Sequence, residues 1–271
     1  MSITYKYSLE YIGIGDLTFF CGEMLLRLTK DDVLMIKIDE FTLNTYREGS
    51  ELYKKFCIDY IKFILSDYNV SECQSETDRT WGINYDYVGR MLGEPEIKDV
   101  FRKKFSSGVV NDSHKGHLIL FTKVRAYDET NFKSFSEKFF NYINSLDTKI
   151  ILIGEKTVKY SGEYANLGKN KVYSLYDEYV KNIPTDKIID LTNDDYSPNN
   201  ISLENIINDL TLISNSKSMI MIGCGGFFCT SLFTDKLLSI NDGTIFSQFS
   251  VESNKQVFYD INLFLTAIQN V

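Results

Sequence analysis

Short apolar runs recur along the carboxyl-terminal half of this chain, each followed by a polar stretch of helical period, and that alternation restricts the fold more than any other feature. HLILFTKV precedes an amphipathic stretch over Asn131 to Leu146, KIILIGE one near Val172 to Asn182 and KIIDL one from Leu203 to Ile213, after which SMIMIG follows. Runs of four to six residues of this kind suit strands buried on both faces, and strands alternating with helices make a parallel sheet covered on both sides. The amino-terminal part carries the same pattern less regularly. YSLEY reads as a strand, Leu17, Phe20, Cys21, Met24, Leu25 and Leu28 mark a helix by their spacing, and VLMIKI (Val33 to Ile38) is a second buried strand. SELYKKFCIDYIKFILSDY places Leu52, Phe56, Tyr60 and Phe63 on one helical stripe. Residues 73–93 have no steady period, and residues 94–105 read as a short helix started by a proline.

The pattern resets around NDSHKGH, which divides the chain near residue 115. The expected fold class is α/β, with two Rossmann-like halves, 1–115 and 116–271, facing a central cleft. A turn-and-strand at NDGTIFSQFS and a helix over Lys255 to Gln269 end the second half. A chain of 271 residues has ample apolar material for such cores. A crevice between two α/β units is the natural site for a small ligand.

Composition narrows the function. A net charge of −8 disfavours nucleic acid as a partner. No run of about 18 apolar residues appears, so no membrane span is expected. MSITYKYSLEY lacks the basic start, apolar run and cleavage site of a secretory signal, which implies a cytoplasmic protein. The five cysteines are scattered without a Cys-x-x-Cys pair, and only His114 and His117 are present, so neither disulfides nor a histidine-rich metal site is expected.

Three features carry possible chemistry. In IGIGDLTFF the glycines Gly13 and Gly15 occupy a strand-to-helix turn with Asp16 directly after them. In an open α/β sheet such a turn lies at the carboxyl end, where ligands collect, although aspartate is also a favoured helix cap. In SMIMIGCGGFFCTSLF an apolar strand runs through Gly223, Gly225 and Gly226 into a helix near Phe228, with Thr230 and Ser231 beyond. Backbone amides at that helix start suit a phosphate, and glycine removes the side chains that would keep it away. In FTKVR, Lys123 and Arg125 fall on one side of an extended chain, where two cations neutralise a diphosphate, and Glu155 of IGEK lies at another strand end, where its carboxylate accepts from a ribose or base.

IGIGDLTFF resembles the amino-terminal Gly-Asp turn of heptosyltransferase-like glycosyltransferases, which have the two-domain GT-B fold. SLENIINDLTLISNSKSMIMIGCGG is similar in layout to the helix, Ser-Asn-Ser-Lys segment and glycine turn before the donor diphosphate site of that fold. The resemblance implies transfer of a hexosyl or heptosyl group from a nucleotide diphosphate donor to a glycan or other hydroxyl acceptor. It makes Asp16 the base toward the acceptor, with Gly13 and Gly15 on the acceptor side. Lys123, Arg125, Glu155, Gly223, Gly225, Gly226 and Thr230 then bind the donor. No cofactor is expected beyond the donor itself, and the absence of any Asp-x-Asp triplet implies a metal-independent reaction. The family's Asp-x-Gly-x-x-His is here GCGGFF, with neither acid nor histidine.

Two other readings stay open at this stage. Asp39 and Glu40 follow Gly15 at a spacing that resembles an NAD or S-adenosylmethionine site, with Thr18 at the third glycine position. A non-catalytic protein that binds a glycan or a partner through a degenerate transferase fold is the third.

Overall fold

A computed structural model describes residues 2–82, 94–106, 114–124, 129–157, 173–193, 198–216, 218–222, 237–240, 256–258 and 261–268. Their strands form two larger parallel sheets and a short ribbon. The first sheet uses β1 (Thr4–Leu9), β2 (Val33–Ile38), β3 (Asn69–Glu72) and β4 (Arg79–Trp81) in the order β3-β2-β1-β4. Every neighbouring pair in it is parallel. Helices α1 (Ile14–Arg27), α2 (Glu40–Arg47), α3 (Glu51–Ile64) and α4 (Pro95–Ser106) accompany it.

Local chemistry sets these helix ends. The Asp39 carboxylate accepts from the Thr42 N–H at 2.7 Å and caps α2, and Ser50 Oγ accepts from the Tyr53 N–H at 3.2 Å and caps α3. Between them the chain reverses through Glu48 (φ 56°) and Gly49 (φ 66°), two residues in the left-handed region. Capped at Ser50, α3 buries Tyr53, Phe56, Cys57, Ile58, Tyr60, Ile61 and Ile64. Leu52, expected on the buried stripe, is 45% exposed. Tyr53 takes the inward position because its hydroxyl donates to the Ile12 carbonyl at 2.9 Å and its ring carries the Arg47 guanidinium at 4.7 Å.

The second sheet contains β5 (Leu118–Phe121), β7 (Ile150–Ile153), β9 (Ile188–Asp190), β10 (Ser218–Ile222), β11 (Leu237–Ile240) and β12 (Gln256–Phe258). Their order is β12-β11-β10-β5-β7-β9, parallel throughout. Between β5 and β9, β6 (Lys123–Val124) pairs antiparallel with β8 (Tyr173–Ser174) as a separate ribbon. The helices here are α5 (Glu129–Ser145), α6 (Tyr176–Asn182), α7 (Leu203–Ser214) and α8 (Ile261–Ile268). Among the described residues no helix is long and apolar enough to cross a membrane.

The central strands are apolar on both faces, and the two faces meet different cores. Ile119, Phe121, Ile151, Ile153 and Met219 join a cluster that includes residues of α1, α3, α4 and α7 together with the first sheet. Leu118, Leu120, Ile150, Leu152, Ile220 and Ile222 face Phe132, Phe139 and Ile143 of α5, Tyr179 of α6 and Phe264 of α8. The alternation follows from the period of two along a strand.

Several boundaries differ from the sequence reading. α1 begins at Ile14, which puts Asp16 inside its first turn. Residues 173–174 form β8, so α6 starts only at Tyr176. Gln256–Phe258, expected in a terminal helix, pair with Leu238–Ile240 as a strand, and the helix is confined to Ile261–Ile268. Pairing with a neighbouring strand overrides local helical pattern here, as tertiary context commonly does. NDGTIFSQFS lies outside the described residues.

The end of β7 turns at Gly154, with φ 102°. A Cβ there would stand 2.6 Å from Thr122 Oγ1 and 3.0 Å from the Phe121 ring. Gly154→Ala therefore meets both backbone strain and a packed neighbour, and should lower stability by about 1–3 kcal/mol. Urea unfolding of the two proteins measures the difference, and equal midpoints would exclude this account of the turn.

Candidate functional site

Both larger sheets reverse their winding once. From β1 the first sheet grows to β2 and β3, then returns to place β4 on the other side of β1. From β5 the second grows to β7 and β9, then returns to place β10 beside β5. In open parallel sheets ligands bind outside the carboxyl ends of the strands at such reversals.

At the first reversal the chain leaves β1 and enters α1 through Gly13, the N-cap residue. Asp16 occupies the third helical position rather than the cap itself, and its Oδ2 accepts from the Gly13 N–H at 3.0 Å. This is the reaching-back half of a capping box, and the carboxylate also lies in the favourable field of the helix amino terminus. Gly13 is needed for the closeness of the contact, because a Cβ on it would fall 2.7 Å from Asp16 Oδ2. Gly15 is buried in the first helical turn.

Three contacts that motif reading missed hold this turn. Thr18 Oγ1 donates to the Ile14 carbonyl and meets the Tyr60 hydroxyl, both at 2.7 Å, which ties the start of α1 to α3. Tyr53 donates to the Ile12 carbonyl from the same helix. Further along α1 the buried Glu23 accepts from Trp81 Nε1 at 2.9 Å and pairs with Arg27 at 2.7 Å, which fixes the helix to the end of β4. A buried acid one turn from an arginine and a lone tryptophan were the available signals for that last network. Asp39, the acid of the dinucleotide reading, is engaged by its cap on α2.

At the second reversal β5 gives way to Thr122 and Lys123. Thr122 is fully buried, and its hydroxyl lies 3.1 Å from the Ile153 carbonyl and 2.9 Å from the Glu155 carbonyl. Ser174 Oγ donates to the same Glu155 carbonyl at 2.7 Å, and the Leu175 N–H donates to the Thr122 carbonyl at 2.8 Å. These bonds clamp the ends of β5 and β7 to the ribbon strand β8. Within the clamp, Lys123 Nζ stands 3.3 Å from Glu155 Oε2, so the two candidates form an ion pair. Glu155 is only 3% exposed, which leaves its carboxylate little surface to offer a ribose.

Beside this pair, Lys156 Nζ lies 3.1 Å from Asp190 Oδ2, which also accepts from the Tyr176 hydroxyl at 2.7 Å. Partial burial pushes the Asp190 carboxyl up, but hydrogen bonds from Thr192, Tyr176 and Lys156 outweigh it and hold the carboxyl below its usual range. The same hydrogen bond and charge of Asp190 raise the Lys156 ammonium. The other donor-side candidates, Arg125, Gly223, Gly225, Gly226 and Thr230, lie outside the described residues. β10, which precedes the glycines in sequence, ends at Ile222 beside β5.

No protein-family model and no curated protein matches this sequence. Several solved structures align with it at low identity. ADP-heptose lipopolysaccharide heptosyltransferase II of E. coli aligns with a TM-score of 0.48 and 10% identity over 100% of this chain and 99% of that one. The UDP-GlcNAc 2-epimerase of Methanocaldococcus jannaschii aligns with a TM-score of 0.47 and 10% identity over 100% and 92%. The iron-containing dodecameric glycosyltransferase TibC of enterotoxigenic E. coli H10407 aligns with a TM-score of 0.42 and 12% identity over 89% and 59%, so this chain spans about three-fifths of TibC's length.

The Gly13–Asp16 contact makes a stability prediction independent of any activity. Asp16→Ala removes both a hydrogen bond and a charge at a helix amino terminus, and should cost about 1–2 kcal/mol, whereas Asp16→Asn keeps an acceptor and should cost about 0.5 kcal/mol. Denaturant midpoints of the two variants decide the matter. Equal losses would mean that the Gly13 N–H gains nothing from the side chain.

Proposed function

We propose that this chain is a glycosyltransferase that moves a sugar from a nucleotide diphosphate donor to an acceptor hydroxyl without a metal ion. The observation that carries the reading is the placement of Asp16: a carboxylate oriented by the Gly13 N–H, at the carboxyl edge of β1, where the first sheet reverses. A base for a sugar hydroxyl needs a fixed carboxylate at a ligand-binding edge. Asp16 has that setting, and the resemblance of IGIGDLTFF to the heptosyltransferase-like turn assigns it the same task.

The donor belongs to the second sheet. Lys123 lies two residues past the end of β5 at the other reversal, and in sequence Arg125 comes two residues later. Gly223, Gly225, Gly226 and Thr230 follow β10, the neighbour of β5. Cations and glycine-turn amides in these positions stabilise the charge that grows on a departing diphosphate, and such stabilisation commonly lowers the barrier more than any other effect. Glu155 joins the donor side through Lys123. The protein would act on a nucleotide sugar and a glycan acceptor in the cytoplasm.

The decisive experiment screens nucleotide diphosphate sugars by thermal shift and then follows transfer, or donor hydrolysis, with the best of them. In that assay Asp16→Asn should lower turnover by about 10² to 10⁴, the range for loss of a general base, while donor affinity barely changes. Normal turnover in the asparagine variant would remove Asp16 from the chemistry and leave it a helix-capping residue. With no Asp-x-Asp triplet in the chain, turnover should also persist in excess EDTA. Activity lost to EDTA and restored by Mn²⁺ or Mg²⁺ would refute the metal-independent mechanism.

A further inference from the structure

The ion pair at the end of β5 is asymmetric in its exposure. The Lys123 side chain is 18% exposed and that of Glu155 4%. The Glu155 carbonyl is held by Thr122 and Ser174, but no hydrogen-bond donor in proper geometry reaches its buried Oε2 among the described residues. The carboxylate therefore depends on the charge of Lys123 rather than on a hydrogen-bonded cradle. A buried acid in that state locates its counter-ion and also cancels much of its field.

This bears on any phosphate that Lys123 meets. An ammonium 3.3 Å from a carboxylate presents an approaching anion with a nearly neutral pair. The attraction of Nζ is offset by repulsion from the neighbouring Glu155 oxygen, in surroundings where water screens poorly. On the reading that Lys123 meets the donor diphosphate, we infer that Glu155 is a positioning residue with a second effect: it holds Lys123 at the strand end and weakens the grip of that lysine on the diphosphate. The leaving nucleotide diphosphate is then held loosely enough to depart after transfer, a step that often limits turnover. A nucleoside-contacting role for Glu155 predicts the opposite sign for nucleotide binding, because removing the carboxylate would then loosen it.

Inorganic pyrophosphate separates the two, since it has phosphates and no ribose. Calorimetric titration of the full chain would compare the parent with Glu155→Gln, Lys123→Met and the double variant. Glutamine keeps the shape and removes the charge, and should tighten pyrophosphate on the order of tenfold, the effect of deleting one partly screened charge near the anion. The double variant should likewise bind more tightly than Lys123→Met alone, because the deleted charge acts on the anion directly, whereas a carboxylate that only positioned Lys123 would weaken binding when removed. If the glutamine variant does not fold, Glu155→Met gives the same reading, because methionine brings no polar group to bury. Equal or weaker binding by a folded Glu155 variant, with Lys123→Met still weaker than the parent, overturns this inference and leaves the donor site standing. Pyrophosphate binding that ignores both substitutions overturns the inference and the assignment of Lys123 to the diphosphate together.

Discussion

Burial of β5 on both faces is the constraint on which the other elements depend. Its four residues are all inaccessible, with Ile119 and Phe121 directed into one core and Leu118 and Leu120 into the other. Each such side chain contributes about 1.5–3 kcal/mol when taken out of water. The strand also lies at the reversal of the larger sheet, with β7 on one side and β10 on the other. Because the first core also contains residues of the first sheet and of α1, α3 and α4, burying one face of β5 organises both sheets around it.

A strand so occupied has no room for chemistry along its length, so polar groups start where it stops. Thr122 is the first of them, and its buried hydroxyl is satisfied by carbonyls at the end of β7. Gly154 makes that contact possible, since any side chain there would displace the threonine. The amino-terminal turn repeats this logic with other residues. Gly13 leaves space for the Asp16 carboxylate, and Thr18 and Tyr53 tie the turn to α3.

The two sheet edges stabilise their charges in different ways. At the first, the Gly13 N–H and the amino terminus of α1 orient the Asp16 carboxylate through partial charges. At the second, a full counter-ion holds the lysine and neutralises it.

The sequence by itself determined the parallel α/β class, because four apolar runs separated by amphipathic helices admit few other folds, and it marked the Gly13–Asp16 turn by composition alone. It also located Lys123 and Glu155 at strand ends, since each stands one residue beyond a run of apolar residues. Only the tertiary structure decided what those groups touch. Helical period showed that α3 has an apolar face, but contacts from Ile12 and Arg47 chose Tyr53 over Leu52 for it. Nothing local distinguishes an acid that faces a ligand from one buried against a lysine 32 residues away in the chain, as Glu155 is. Period and propensity describe neighbours along the chain, whereas the partner of a charge is set by strands that pair across long separations, and the burial they impose decides which ions must be matched.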